Sequence, residues 1–103
     1  MWAQLIKTRL KPGNEDKLEQ ILYHLQAAEQ PDSGLLRSTA MRDQKDPSRV
    51  YLLVVFENEE KARAREQDPR RQEVLGEVSA LMAQIFEGPP EFIDLTVLKD
   101  LVP

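Results

Sequence analysis

The chain contains no cysteine and a single histidine. Disulfides, thiolate-bound metals and a cysteine nucleophile are excluded, as is any metal centre built from several imidazoles. There are only four glycines, and no phosphate-cradling or dinucleotide-binding glycine pattern, zinc-protease motif or nucleophile elbow. Positive charge is in deficit, with 14 Lys/Arg against 18 Asp/Glu. The run Arg63, Arg65, Arg70, Arg71 is interrupted by acids and lacks interleaved aromatics. It reads as a solvated face, not a nucleic-acid platform. The longest apolar run, Val50 to Phe56, falls far short of the roughly 20 residues that span a bilayer. Polar residues arrive too early after Met1 for a secretory signal, so no membrane partner and a cytoplasmic location are expected.

What remains is an ordinary globular composition, 41% hydrophobic and 31% charged over 103 residues, which makes one domain spanning 1–103. Residues 2–10 alternate loosely as a strand and are stopped by Pro12-Gly13. Asn14 is a plausible cap for a helix running to about Glu29, with Leu18, Ile21, Leu22 and Leu25 on one stripe. Residues 35–42 and 50–56 form a hairpin about the turn chemistry of 43–48. A helix from Asn58 to about Glu66 restarts at Asp68-Pro69, and its apolar stripe runs on to Ile85. Gly88-Pro89-Pro90 ends it, and 92–98 is the last strand. The order βαββαβ predicts a ferredoxin-like α+β fold: a four-stranded antiparallel sheet with its helices on one face.

Both faces of the strand Val50–Phe56 are apolar, and the last strand behaves similarly. Helices can cover only one face, so the other is an association surface. A homodimer packed sheet on sheet is expected.

Several segments together resemble the antibiotic biosynthesis monooxygenase (ABM) family of the dimeric α+β barrel superfamily. They are Lys11-Pro12-Gly13, Pro31-Asp32-Ser33-Gly34-Leu35, Asp43…Asp46-Pro47…Val50, Val55-Phe56-Glu57-Asn58-Glu59-Glu60, Asp68-Pro69 and Gly88-Pro89-Pro90-Glu91-Phe92. The resemblance covers nearly the whole chain. It implies a dimeric α+β barrel with a pocket in each subunit between sheet and helices. It also implies oxygenation of phenols, quinols or polycyclic aromatics, often with no metal or flavin. Where many members carry a histidine after the helix break, this chain has Arg70, and Phe56 stands where many have tryptophan. The positions matching the triad of heme-degrading relatives are about Ile6, Arg65 and Leu75.

Candidate residues follow from both arguments. His24, the only imidazole, is either a solvated helix-edge side chain or a base at the pocket rim. Asp94 on the last strand would become a base if a closed cavity raised its pKa. Trp2 and Gln4 share the strand face that the resemblance turns toward the pocket, and a buried amide there needs a partner. Tyr51 lies on a buried strand and its hydroxyl also needs one. Arg65 and Arg70 could hold a carboxylate or phenolate, while Phe56 and Phe86 fit a pocket wall. Two functions are expected in order: a cofactor-independent monooxygenase of a small aromatic, or a non-catalytic ligand-binding or dimerisation module of the same fold.

Overall fold

The computed structural model describes all residues, 1–103. The elements are β1 (Trp2–Arg9), α1 (Glu15–Ala27), β2 (Leu35–Arg42), β3 (Arg49–Phe56), α2 (Glu59–Glu66), α3 (Pro69–Ile85) and β4 (Glu91–Thr96). They form the expected ferredoxin-like arrangement: one four-stranded antiparallel sheet in the order β2-β3-β1-β4. The most apolar strand, β3, is central together with β1, where both faces can be covered.

Register decides which side chains share a face. Trp2 pairs with Phe56, Gln4 with Val54, Ile6 with Leu52 and Thr8 with Val50. On the other side of β1, Trp2, Gln4 and Ile6 pair with Thr96, Asp94 and Phe92. This is the helix side, because Trp2, Val54 and Phe56 pack with Ala62 of α2, and Val50 packs with Leu18, Ile21 and Ile85 of α1 and α3. Two apolar clusters therefore hold the helices, one at each end of the sheet. The helices sit over β1 and β3 and leave the inward residues of β4 uncovered. Phe92 is 57% exposed, and Asp94 and Thr96 are exposed as well.

The break between α2 and α3 follows from local chemistry. The Asp68 carboxylate accepts from Arg70 N at 2.9 Å, and Pro69 occupies the first helical turn, where its missing N–H costs nothing. Gly34 lets β2 begin directly against α2. Its φ is +80°, and a Cβ there would lie 2.5 Å from the Lys61 side chain.

Three local expectations are corrected. Asn14 does not cap α1. Its side-chain amide donates back to the carbonyls of Lys11 and Pro12, and the helix ends at Ala27 rather than near Glu29. β4 stops at Thr96 rather than 98, because its ladder partner β1 begins at Trp2. Beyond it Val97 N reaches only Met1 O, at 3.4 Å, and the chain crosses the sheet end until Asp100 meets Arg37 of β2 at 3.6 Å.

The outer sheet face carries no helix. Its central row is Thr39, Leu53, Leu5 and Ile93, flanked by the row Arg37, Val55, Ala3 and Leu95. Apolar side chains dominate both rows.

Candidate functional site

The bare helix side of β4, next to β1, is an open strip of sheet bordered by α2. Gln4, Ile6, Phe92 and Asp94 supply it, and Trp2 stands at one end. Most of these side chains are apolar, but one polar cluster is tightly organised. Gln4 Nε2 donates to Asp94 Oδ1 at 2.9 Å, and Arg63 Nη2 of α2 donates to Asp94 Oδ2 at 2.9 Å. Arg63 also donates to Glu59 Oε2 and to Glu66 Oε1, both at 3.1 Å. Its guanidinium lies 5.0 Å from the centre of the Trp2 ring, in cation–π range. Trp2 in turn packs at 6.1 Å against Phe56.

Spacing along α2 explains Arg63. Glu59 is one turn before it and Glu66 three residues after, so both carboxylates fall on its helix face. The guanidinium is thereby held extended toward β4. The two donors on Asp94, Gln4 first and Arg63 second, hold its carboxyl below the usual carboxylate range. Asp94 does not face a closed cavity that would push its pKa up; it is half-exposed and stays ionised.

The other candidates divide by position. Arg65 is the best-buried cation of the region. Its Nε and Nη2 make a forked pair with Glu29 at 2.6–3.1 Å, and its guanidinium lies 5.3 Å from the Phe56 ring centre. Arg70 is bound to Asp68, with Nη2 to Oδ2 at 2.7 Å. Both guanidiniums are thus occupied by acids of the chain itself. Phe86 packs in the other apolar cluster, beside Leu10 and Ile85. Tyr51 points to the outer sheet face, between Met41 and Lys7. His24 is exposed on α1, edge-on to Tyr23 at 6.0 Å, in a shallow depression with Asp16, Glu19 and Gln20. The structure therefore brings together Trp2, Gln4 and Asp94, with Phe56 behind them, and adds Arg63. The spacing Glu59…Arg63…Glu66 was the one available signal for Arg63; its reach to Asp94 depends on tertiary contact. No group of three or more His, Cys, Asp or Glu side chains is arranged to hold a metal ion, and no helix is long and apolar enough to cross a membrane.

Solved structures share this architecture along their whole length. A protein of Chloroflexus aurantiacus assigned to the antibiotic biosynthesis monooxygenases superposes with a TM-score of 0.72 at 22% identity, covering 99% of this chain and 98% of its own. A protein of Nitrosomonas europaea with the same assignment gives 0.73 at 17% identity, covering 96% of this chain and 100% of its own. A mutant of MhuD, solved with two manganese protoporphyrin IX molecules per active site, gives 0.75 at 18% identity over 100% of both chains. These likenesses establish the fold alone. None of the curated proteins matches the chain in sequence. The sequence pattern described as antibiotic biosynthesis monooxygenase matches residues 1–77, a span that holds β1 through α2, with Trp2, Gln4, Phe56 and Arg63 inside it. The chain belongs to the antibiotic biosynthesis monooxygenase family.

Proposed function

We propose that the chain is a cofactor-independent monooxygenase of a small phenolic, quinol or polycyclic aromatic compound. In this reading the substrate lies over β1 and β4, in a groove that this strip forms with α2, and the protein works as a homodimer joined through the apolar outer sheet face. The observation that carries the reading is the Gln4–Asp94–Arg63 cluster on an otherwise apolar floor. A few placed polar groups among aromatic and aliphatic walls suit an aromatic ligand.

The chemistry asks little of the protein. An electron-rich enolate or phenolate carbon gives electrons to oxygen and forms a C–O bond, as a hydroperoxide. Loss of water then leaves a carbonyl: a CH₂ and O₂ become C=O and H₂O. Trp2, Ile6 and Phe92 would hold the ring and keep water from it. Gln4 would accept a hydrogen bond from the substrate hydroxyl. Asp94 is a weak base, since its two donors stabilise the carboxylate. The substrate must then be readily ionised, as an anthrone or hydroquinone is.

That weakness supports the second reading, a binding or dimerisation module without turnover. Oxygen uptake with a panel of quinols and anthrones separates the two. Turnover that Gln4→Leu abolishes supports the monooxygenase. Binding with no uptake on any substrate leaves the module.

A further inference from the structure

We infer that Asp94 is a positioning residue, fixing the Gln4 amide with its carbonyl oxygen outward, so that the groove selects neutral ligands that donate a hydroxyl. This rests on the groove being the ligand site proposed above.

An ionised carboxylate only accepts hydrogen bonds, so the edge of the Gln4 amide that faces it must be the NH₂ group. Asp94 is not free to turn away, because its Oδ2 is taken by Arg63 while Oδ1 receives Gln4. Arg63 is itself braced by Glu59 and Glu66. The orientation of the Gln4 amide on β1 is therefore locked through four side chains, Asp94 of β4 and Arg63, Glu59 and Glu66 of α2.

The free end is Gln4 Oε1. No donor of the protein reaches it, and no buried side-chain oxygen lacks a partner, so it is open to solvent. Around it stand Ile6 on the same strand and Phe92 on the next, both on the helix side. A ring resting there could donate a hydroxyl to Oε1. An ether, a quinone or a carboxylate has only acceptors to offer and leaves Oε1 without a donor.

Charge acts in the same direction. Three carboxylates, Glu59, Glu66 and Asp94, surround the single Arg63 cation, an excess of negative charge at the groove end. Of the guanidiniums that follow, Arg65 and Arg70 are bound to Glu29 and Asp68, and Arg71 lies near Glu29 and Glu66. A ligand that arrives as an anion meets this excess of carboxylates, whereas one that arrives neutral and ionises only during reaction does not meet it on binding.

The test uses three naphthalenes of similar size: 2-naphthol, 2-methoxynaphthalene and 2-naphthoate. Affinities are read by NMR titration, following the side-chain amide of Gln4 and the indole N–H of Trp2, the only tryptophan. In the wild type 2-naphthol binds about tenfold tighter than the methyl ether, the worth of one hydrogen bond, and 2-naphthoate binds weakest. Asp94→Ala frees the amide to flip and brings naphthol and ether within about threefold. Gln4→Leu, a volume-conserving change, does the same while keeping the ether's affinity. Equal wild-type affinities overturn the inference, as does a preference that survives Asp94→Ala, or no binding of either neutral probe. Oxygen is not read in this test. A groove with the preference but no quinol turnover therefore overturns the monooxygenase reading and leaves this one standing.

Discussion

Gln4 and Asp94 are direct partners across the β1–β4 ladder, and the side-chain bond between them is 2.9 Å long. Both face the helices only because the register is what it is. A slip of one residue would turn Asp94 outward and bring an aliphatic neighbour, Ile93 or Leu95, inward. The apolar partners in the same ladder oppose such a slip, so the packing of β4 and the polar cluster depend on each other. The outer row of Leu5 and Ile93 belongs to the same constraint.

Replacing Arg63 with alanine should raise the Asp94 pKa toward the ordinary carboxylate range, since one of its two donors is lost. The sign follows from linkage. A carboxyl held below its unfolded value contributes stability above the usual carboxylate range and loses it as pH falls through the folded value. Removing Arg63 should therefore reduce the acid-dependent part of stability. Carboxyl NMR titration of wild type and variant measures the shift. The Trp2 emission should move to longer wavelength as its guanidinium cover is removed.

The Arg65–Glu29 pair should matter more to stability than any exposed bridge. Its side chains are only 15% and 22% exposed, and the pair ties the segment just after α1 to α2. Arg65→Ala is expected to cost about 2 kcal/mol, from lost charge-assisted hydrogen bonds and a stranded carboxylate. Arg65→Lys should recover only part of this, because an ammonium cannot make the fork. Burial is the largest single influence and would raise the Glu29 pKa, but the Arg65 and Ser33 hydrogen bonds and the Arg65 and Arg71 charges together outweigh it, and the net direction is down. The difference between wild type and Arg65→Ala should thus be largest near neutral pH and shrink on acidification through the carboxylate range. Urea midpoints across pH test both statements.

Asn14 and Asn58 stand before similar acidic first turns but do different work. Asn58 Oδ1 accepts from Lys61 N at 2.8 Å and caps α2, whereas Asn14 makes no cap bond. Asn58→Ala is expected to cost about 1 kcal/mol, and Asn14→Ala clearly less. Since α2 carries Arg63 and Arg65, Asn58→Ala should also weaken the Asp94 and Glu29 contacts. Thermal melts of the two variants give the comparison. Equal losses would mean that the cap geometry does not decide helix stability here.

That pair of asparagines shows where sequence reading stops. Hydrophobic period, the Pro-Gly and Gly-Pro-Pro breaks and the Asp68-Pro69 restart are local signals, so element order was legible from them. Whether Asn14 bonds forward to its helix or back to Lys11 is settled by the path of the preceding loop. The site was legible to the same depth. Gln4 and Trp2 share a face by simple alternation, and Asp94 alternates with Phe92. That Gln4 and Asp94 are opposite one another depends on pairing between residues ninety positions apart. Arg63 reads as a solvated i, i+4 partner of Glu59 until the sheet places Asp94 beneath it.

The outer sheet face gives the remaining prediction. Leu53 lies between Thr39 and Leu5 in the central row, away from every helix. In the proposed homodimer this row is buried against its own copy, and a face that is self-complementary by symmetry doubles the effect of any change. Leu53→Glu would set two carboxylates close together in an apolar seam, where the flanking cations Arg37 and Lys7 already pair with Asp100 and Glu91. Sedimentation should then give the mass of two chains for the wild type at micromolar concentration and of one for Leu53→Glu. The far-ultraviolet circular dichroism should change little, because the Leu10–Ile85 and Trp2–Phe56 clusters lie on the opposite face. A control at Thr39, on the edge strand of the same row, separates interface loss from lost strand packing. Thr39→Glu should weaken the dimer less than Leu53→Glu, because an edge position lets the carboxylate reach water. A wild-type protein of one-chain mass at these concentrations would remove the homodimer, and with it the assignment of this face as the subunit interface.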